Sequence, residues 1–265
     1  MLEAVVYPAF RRVEFRGKGR LRRRLPVPAE GERVVSFPGG VLLRLDLRES
    51  LQRDFLFGLY DRRELALMRR FLEPGGDMVD VGAHVGMYAV SAAHALKGRG
   101  RVLAFEPNPA ARRQLEANVA LNGCANVLVS AAAVAGEAGE ALLHVPETDD
   151  PSFSSLGSGR FAEGEPVRVR TTTLDAEVEA RGLSPAFVKV DVEGAELGVL
   201  AGAKRTLALR PVLLVEVSDA TAGEAERLLA DWDAYEVRSS CLRPGLVGAS
   251  GFFNALFVPP ELWRR

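Results

Sequence analysis

Hydrophobic positions change their period several times along the 265 residues, and each change predicts an element. The stretch VVSFPGGVLLRLDL holds two strand-like runs separated by Pro38-Gly39-Gly40, a hairpin signal. From Leu51 to Leu72, Phe55, Leu59, Leu65, Met68 and Leu72 recur at mixed helical spacings, and Glu73-Pro74-Gly75-Gly76 stops the pattern. Beyond Asp77 the chain alternates. Met78–Val81 reads as a buried-type strand, Met87–Leu96 as a helix and Arg101–Phe105 as a strand. Pro109–Leu121 reads as a helix with proline in its first turn, where no donor is lost. Asn126–Val134 reads as the third strand.

The rhythm breaks over residues 135–173. GEAGEALLHV and VRVRTTTL are strand-like, and the polar stretch 146–165 between them is long for a loop in a compact domain. It resumes with strand Phe187–Val192, helix Glu193–Leu209, strand Val212–Val217 and helix Ala222–Trp232. Tyr235–Ser239 and Phe252–Val258 follow without a helix between them, which predicts an antiparallel hairpin at one sheet edge. The expected architecture is α/β, a parallel sheet with right-handed crossovers. Residues 1–74 are expected to be an N-terminal extension that packs on a main domain over 75–265.

Composition narrows the classes. A net charge of −1 gives no global reason to expect nucleic acid or membrane as partner. Cys124 and Cys241 have neither ligand spacing nor a disulfide framework, which suits a reducing compartment. No secretory signal is evident, and the longest apolar stretches fall short of a membrane span, so a soluble cytoplasmic protein is expected. RRVEFRGKGRLRRRL, starting at Arg11, is basic: either a solvated face or a docking patch for a phosphorylated substrate, anionic lipid or RNA. Sparse aromatics make nucleic acid the weaker partner class. Oligomeric state is not written in the sequence.

Chemistry concentrates at two strand ends and one strand-to-helix turn. In MVDVGAHVGMYAV, an apolar run ends in Asp80 and turns through Gly82, Ala83, His84 and Gly86 into a helix. The next strand ends in Phe105-Glu106-Pro107-Asn108-Pro109. Ligands of open α/β sheets sit beyond such carboxyl ends, and helix N-termini suit a ligand carboxylate. Glu106 is placed to accept hydrogen bonds from two ribose hydroxyls. Asp80 would repel a pyrophosphate but not an ammonium group. That combination points to S-adenosylmethionine. A second cluster, FVKVDVEGAELGVL, puts Lys189, Asp191 and Glu193 on one strand face, with Glu196 one turn on. Three carboxylates this close need a cation, a sulfonium ligand or a shared proton, or they favour the first turn of the following helix.

These stretches resemble the FkbM family of S-adenosylmethionine-dependent methyltransferases. The resemblance rests on DVGAHVGMY, FEPNP, TTLD at Thr172–Asp175, VKVDVEGAE, LVEVS at Leu214–Ser218 and NALFVP at Asn254–Pro259, and covers roughly Leu51 to Pro259. It implies a three-layer, Rossmann-like class I methyltransferase fold with a seven-stranded, mostly parallel sheet whose last strand is antiparallel. It implies methyl transfer to a hydroxyl of a small molecule or a sugar- or polyketide-type acceptor. It places Asp80, Gly82 and Glu106 at the cofactor, and Asp191, Glu193 and Glu196 at or near the active centre. Ala83, His84, Gly86, Pro107, Asn108 and Asp191 are expected at the cofactor beside them. Asp191 and Glu193 are also the candidates for holding a divalent metal. His84 stands where the family commonly has asparagine, and Asp61 where it often has glutamate. The competing readings are an RNA methyltransferase using the basic segment, a nicotinamide oxidoreductase and a non-catalytic binding protein.

Overall fold

The structure, a computed structural model, describes residues 31–72, 75–145, 155–156, 165–239, 241–246, 248–249 and 251–263. The basic segment and most of the 146–165 stretch lie outside them. Strands β1 (Glu32–Ser36) and β2 (Leu42–Asp46) form the hairpin that the Pro-Gly-Gly turn predicts. Two helices follow, α1 (Ser50–Leu56) and α2 (Arg62–Leu72), where the periodicity predicts one. The apolar spacing runs through the break, but Gly58 adopts φ 71, a left-handed conformation that ends α1.

The central sheet contains β3 (Asp77–Val81), β4 (Val102–Phe105), β5 (Val127–Ser130), β10 (Pro185–Val190), β11 (Val212–Ser218), β12 (Asp233–Val237), β13 (Leu242–Pro244) and β14 (Phe252–Val258). Its order is β5-β4-β3-β10-β11-β14-β12-β13. The first five are mutually parallel, and β14, β12 and β13 each run antiparallel to the strand before them in that order. The expected seven strands are therefore eight, because Leu242–Pro244 adds a short edge strand. The antiparallel β14 lies inside the sheet, between β11 and β12, and not at its edge.

A second sheet was not anticipated. It orders β6 (Ala133–Val134), β9 (Glu165–Thr172), β7 (Gly139–Val145) and β8 (Ser155–Leu156) around Ala133, Leu143 and Val169. The expected third strand over Asn126–Val134 is thus two strands in different sheets. The Ser130 side chain accepts the Ala132 N–H at 3.3 Å where the chain changes direction.

Alternating residues of each strand feed opposite cores. Met78, Val102, Phe187 and Leu214 pack with the hairpin, α1, α2 and α3 (Met87–Leu96). Val79, Leu103, Val188 and Leu213 pack on the other face with α5 (Leu174–Ala180), α6 (Glu196–Ala201) and α8 (Ala222–Leu228). This is a three-layer α/β fold. The N-terminal hairpin is fastened to α4 (Pro109–Leu121) by side chains: Asn118 Oδ1 accepts the Arg44 N–H at 2.7 Å, and Asn122 Oδ1 the Leu42 N–H at 2.9 Å.

The expected helix Glu193–Leu209 is α6 plus α7 (Lys204–Ala208). Asp175, the acid of TTLD, accepts the N–H groups of Arg205 at 2.9 Å and Thr206 at 2.7 Å and thereby starts α7 anew. Burial alone would raise its carboxyl, but those bonds hold it below the usual carboxylate range. Among the described residues no helix is long and apolar enough to cross a membrane.

Candidate functional site

The chain runs β3, β4, β5 outward on one side and then returns to β10 on the other, so the topological switch lies between β3 and β10. A cavity of about 310 Å³ opens there. Its lining includes Gly82, Ala83 and His84 of the glycine turn, Glu106, Pro107 and Asn108 after β4, and Asp191, Glu193 and Glu216 from the β10 and β11 side. Leu51, Phe55, Leu59, Tyr60 and Asp61, from α1 and the break after it, close a third side.

The glycine turn is packed tightly against protein. Gly82 sits at φ 83, and a Cβ there would lie 1.8 Å from the Asp191 carbonyl oxygen. The N–H groups of Gly82 and Ala83 both donate to the Phe105 carbonyl, at 3.1 and 2.9 Å, and Asp191 N–H donates to the Val81 carbonyl at 3.0 Å. The tips of β3, β4 and β10 are thereby laced together. Gly86 begins α3 without a side-chain cap, leaving that helix end to backbone donors. It does not line the cavity.

Glu106 is buried, and its two oxygens accept the N–H groups of His84 at 2.7 Å and Asn108 at 2.9 Å. Burial still prevails and pushes its carboxyl up to about 7. Asn108 spends its Oδ1 on capping α4, accepting the Ala110 N–H at 2.9 Å, so its amide oxygen is already engaged. His84 holds φ 48, and its Nε2 lies 3.7 Å from a Glu49 carboxylate oxygen of the N-terminal cover.

Asp80 lies behind the cavity wall, not on it. It is fully buried, neither oxygen has a hydrogen-bond partner of full geometry among the described residues, and burial pushes it up to about 6. Lys189 and the Ala89 N–H, in the first turn of α3, oppose that rise.

Lys189 stands beside Asp80 in the parallel register of β3 and β10. Its Nζ donates to Asp191 Oδ2 at 2.9 Å and lies 4.7 Å from the Tyr88 ring centroid, a cation–π distance. Burial works to lower this ammonium, but the carboxylates of Asp191, Asp80 and Asp61 win and hold it above its ordinary range. Tyr88 in turn donates its hydroxyl to Asp61 Oδ2 at 2.9 Å. Burial, then the neighbouring Asp61 and Glu64, push the Tyr88 phenol well up.

Carboxylate oxygens of Asp191, Glu193 and Glu216 all lie within 4.8 Å of one another. Glu193 adopts φ 53, a left-handed backbone that costs a non-glycine residue roughly 1–2 kcal/mol. Burial, then the charges of Asp191 and Glu193, push Glu216 up to about 8. Glu196 is turned away from the cavity. Its Oε1 accepts the N–H groups of Val192 at 3.2 Å and Gly194 at 3.0 Å, closing the turn that presents Glu193. Burial raises its carboxyl all the same.

The structure therefore brings together most of the residues singled out from the sequence, with Asp80, Gly86 and Glu196 one layer behind. It adds Tyr88, Glu216 and Asn254. Glu216 carried a readable signal: like Asp80 and Glu106, it is an acid ending an apolar strand run. Asn254 bonds Asp61 and Glu64; it opens the NALFVP run, but that run gave no sign of a place in the site.

A family model described as the methyltransferase FkbM domain matches residues 80–240. A ribosomal protein L11 methyltransferase from Chloroflexus aurantiacus is 33% identical over 145 residues, 48% of this chain and 42% of its own length. The chain thus spans less than half of that curated relative. Among solved structures, a methyltransferase FkbM from Methylobacillus flagellatus has a TM-score of 0.48 at 17% identity, covering 69% of this chain and 43% of its own. An O-methyltransferase from Bacillus cereus in complex with SAH has a TM-score of 0.45 at 13% identity, covering 75% of this chain and 82% of its own.

Proposed function

The chain belongs to the FkbM methyltransferase family, and from that premise we propose that it is an S-adenosylmethionine-dependent O-methyltransferase acting on a hydroxyl of a small molecule or sugar- or polyketide-type acceptor. The observation that carries this reading is a single cavity joining the Glu106 end of the site to the carboxylates of Asp191, Glu193 and Glu216. When bound, S-adenosylmethionine supplies an electrophilic methyl carbon on a sulfonium.

The residues fit such a ligand. Buried Glu106 keeps acceptor capacity for ribose hydroxyls beyond the two backbone donors it already holds. The uncapped start of α3 suits a carboxylate. The carboxylate of Asp80, which has no hydrogen-bond partner of full geometry among the described residues, favours an ammonium group through the wall.

At the other end the chain orients the acceptor and removes its proton. A hydroxyl has an ordinary pKa far above seven, so a carboxylate must take the proton as the new bond forms. Asp191 and Glu193 are assigned that role, with Oδ2 of Asp191 held by Lys189 and its other oxygen left for the acceptor. A side-chain base is favoured over a divalent metal. Asp191, Glu193 and Glu216 lie close enough to share an ion, but the Lys189 ammonium already supplies a cation 2.9 Å from Asp191 Oδ2. Asp61, Asp191, Glu193 and Glu216 against one ammonium also disfavour a phosphorylated acceptor, and so the RNA reading. Alignment of nucleophile, methyl carbon and sulfur in this half-enclosed cavity would supply much of the acceleration.

The test is methyl transfer from labelled S-adenosylmethionine to a panel of hydroxylated small molecules. Asp191→Asn and Glu193→Gln are expected to lower turnover on a positive acceptor by two to four orders of magnitude, roughly the worth of a general base. Affinity for S-adenosylhomocysteine should be kept. Full turnover in both variants would refute the assignment.

A further inference from the structure

Among the described residues, Lys189 is the only lysine or arginine lining the cavity, and its ammonium sits between two carboxylates of different duty. Asp80 stands beside it across the register of β3 and β10, behind the wall. Asp191 receives its hydrogen bond at 2.9 Å, on the wall. Asp80 is 0% exposed and Lys189 4%, so water screens little of this field. With all three groups ionised the floor carries one net negative charge; without the ammonium it would carry two.

That difference bears on a chemical contrast built into methyl transfer. S-adenosylmethionine and S-adenosylhomocysteine share the same ammonium, carboxylate, ribose and adenine. They differ by one methyl group and by the positive charge that leaves sulfur with it. A ratio of their affinities therefore cancels every shared contact and reports the field at the sulfur.

We propose that Lys189 is a positioning residue that limits the cavity's preference for the sulfonium cofactor over its neutral thioether product, by holding Asp191 and cancelling one of the two floor charges. The inference rests on the cofactor reading above and adds to it a control on how deeply the charged reactant is held. Tyr88, whose ring lies 4.7 Å beneath the ammonium, fixes Lys189 from the helix side.

The experiment is calorimetric titration of the full chain with S-adenosylmethionine and with S-adenosylhomocysteine at about pH 7.2, where Asp80 is ionised and the ligands' α-amino groups stay largely protonated. Lys189→Met is expected to raise the ratio of the thioether Kd to the sulfonium Kd on the order of tenfold, the effect of one nearby unit charge in a partly buried site. Lys189→Arg keeps the cation and should stay within about threefold of the wild type. Asp80→Asn removes a floor charge and should move the ratio about tenfold the other way. A Lys189→Met ratio unchanged in folded protein overturns the proposal. If that variant does not fold, Asp80→Asn decides alone: a lowered ratio supports the proposal and an unchanged one overturns it. Failure of the wild type to bind either ligand is a separate outcome, and removes the cofactor reading together with this inference.

Discussion

Replacing Gly82 with alanine tests whether the tips of β3 and β10 are held at the separation that the site requires. Two costs add. Left-handed backbone at φ 83 costs an L-residue roughly 1–2 kcal/mol. The new methyl would also lie 1.8 Å from the Asp191 carbonyl oxygen and 2.9 Å from its carbon, both backbone atoms with no rotamer to escape through. Overpacking of that kind costs about 1–3 kcal/mol, for a total of about 2–5 kcal/mol. Gly86→Ala is the matched control. Its φ of 91 carries the same backbone term, but its Cβ meets only the Leu115 Cδ1 methyl within 3 Å, at 2.6 Å, and that side chain can rotate. Equilibrium urea denaturation followed by circular dichroism measures both. Gly82→Ala should be the more destabilising by at least about 1 kcal/mol, and it should weaken S-adenosylhomocysteine binding because relief of the clash shifts the turn that carries His84 against Glu106. Equal destabilisation of the two variants, within about 0.5 kcal/mol, would refute the argument that the β3–β10 approach excludes a side chain.

The buried acids make a pH prediction for the ligand-free protein. Glu64 and Glu106 are pushed to about 7, Glu216 to about 8 and Asp80 to about 6, in each case chiefly by burial. The folded state then binds more protons than the unfolded chain between about pH 4.5 and 8. Their contribution to stability is full below that window and is lost as pH rises through it; urea titrations showing these groups gain stability there would contradict the burial argument. S-adenosylhomocysteine should bind more tightly as pH rises through about 7, because ribose hydroxyls donate best to ionised Glu106, and Glu106→Gln should flatten that profile. Tyr88→Phe removes the hydroxyl donor to half-buried Asp61 and should cost about 1–3 kcal/mol by denaturation. Asp175→Ala, which strips the start of α7 of its acceptor, should cost about 0.5–2 kcal/mol while sparing cofactor affinity.

The parts of the fold that could be read in the sequence are those where one local signal suffices. Helix α3 and helix α4 have the bounds that the glycine turn and Pro109 suggested, and the acids ending β3 and β4 gave the switch point. Elements divided by long-range bonding could not be read. Residues 126–134 look like one apolar run, and only pairing partners far apart in sequence, β4 for one half and β9 for the other, divide it. Residues 193–209 keep a helical pattern across a break made by Asp175, which is some thirty residues upstream. The site shows the same limit. VKVDVEGAE announced Asp191 and Glu193, yet the separate stations of Glu193 and Glu196 depend on a left-handed turn that the acid spacing does not encode.

The break after α1 puts one wall of the cavity on a turn between helices. It delivers Leu59, Tyr60 and Asp61 to the cavity, and all three lie upstream of residues 80–240, the stretch shared with the family. Asn254 lies downstream of it. The glycine turn, Glu106 and the acids after β10 and in β11 stand at strand ends of one sheet, whereas Leu59, Tyr60 and Asp61 stand on the turn between two helices. A substitution around Gly58 would therefore change what the enclosure admits without touching the strand tips that the β3–β10 contact holds fixed.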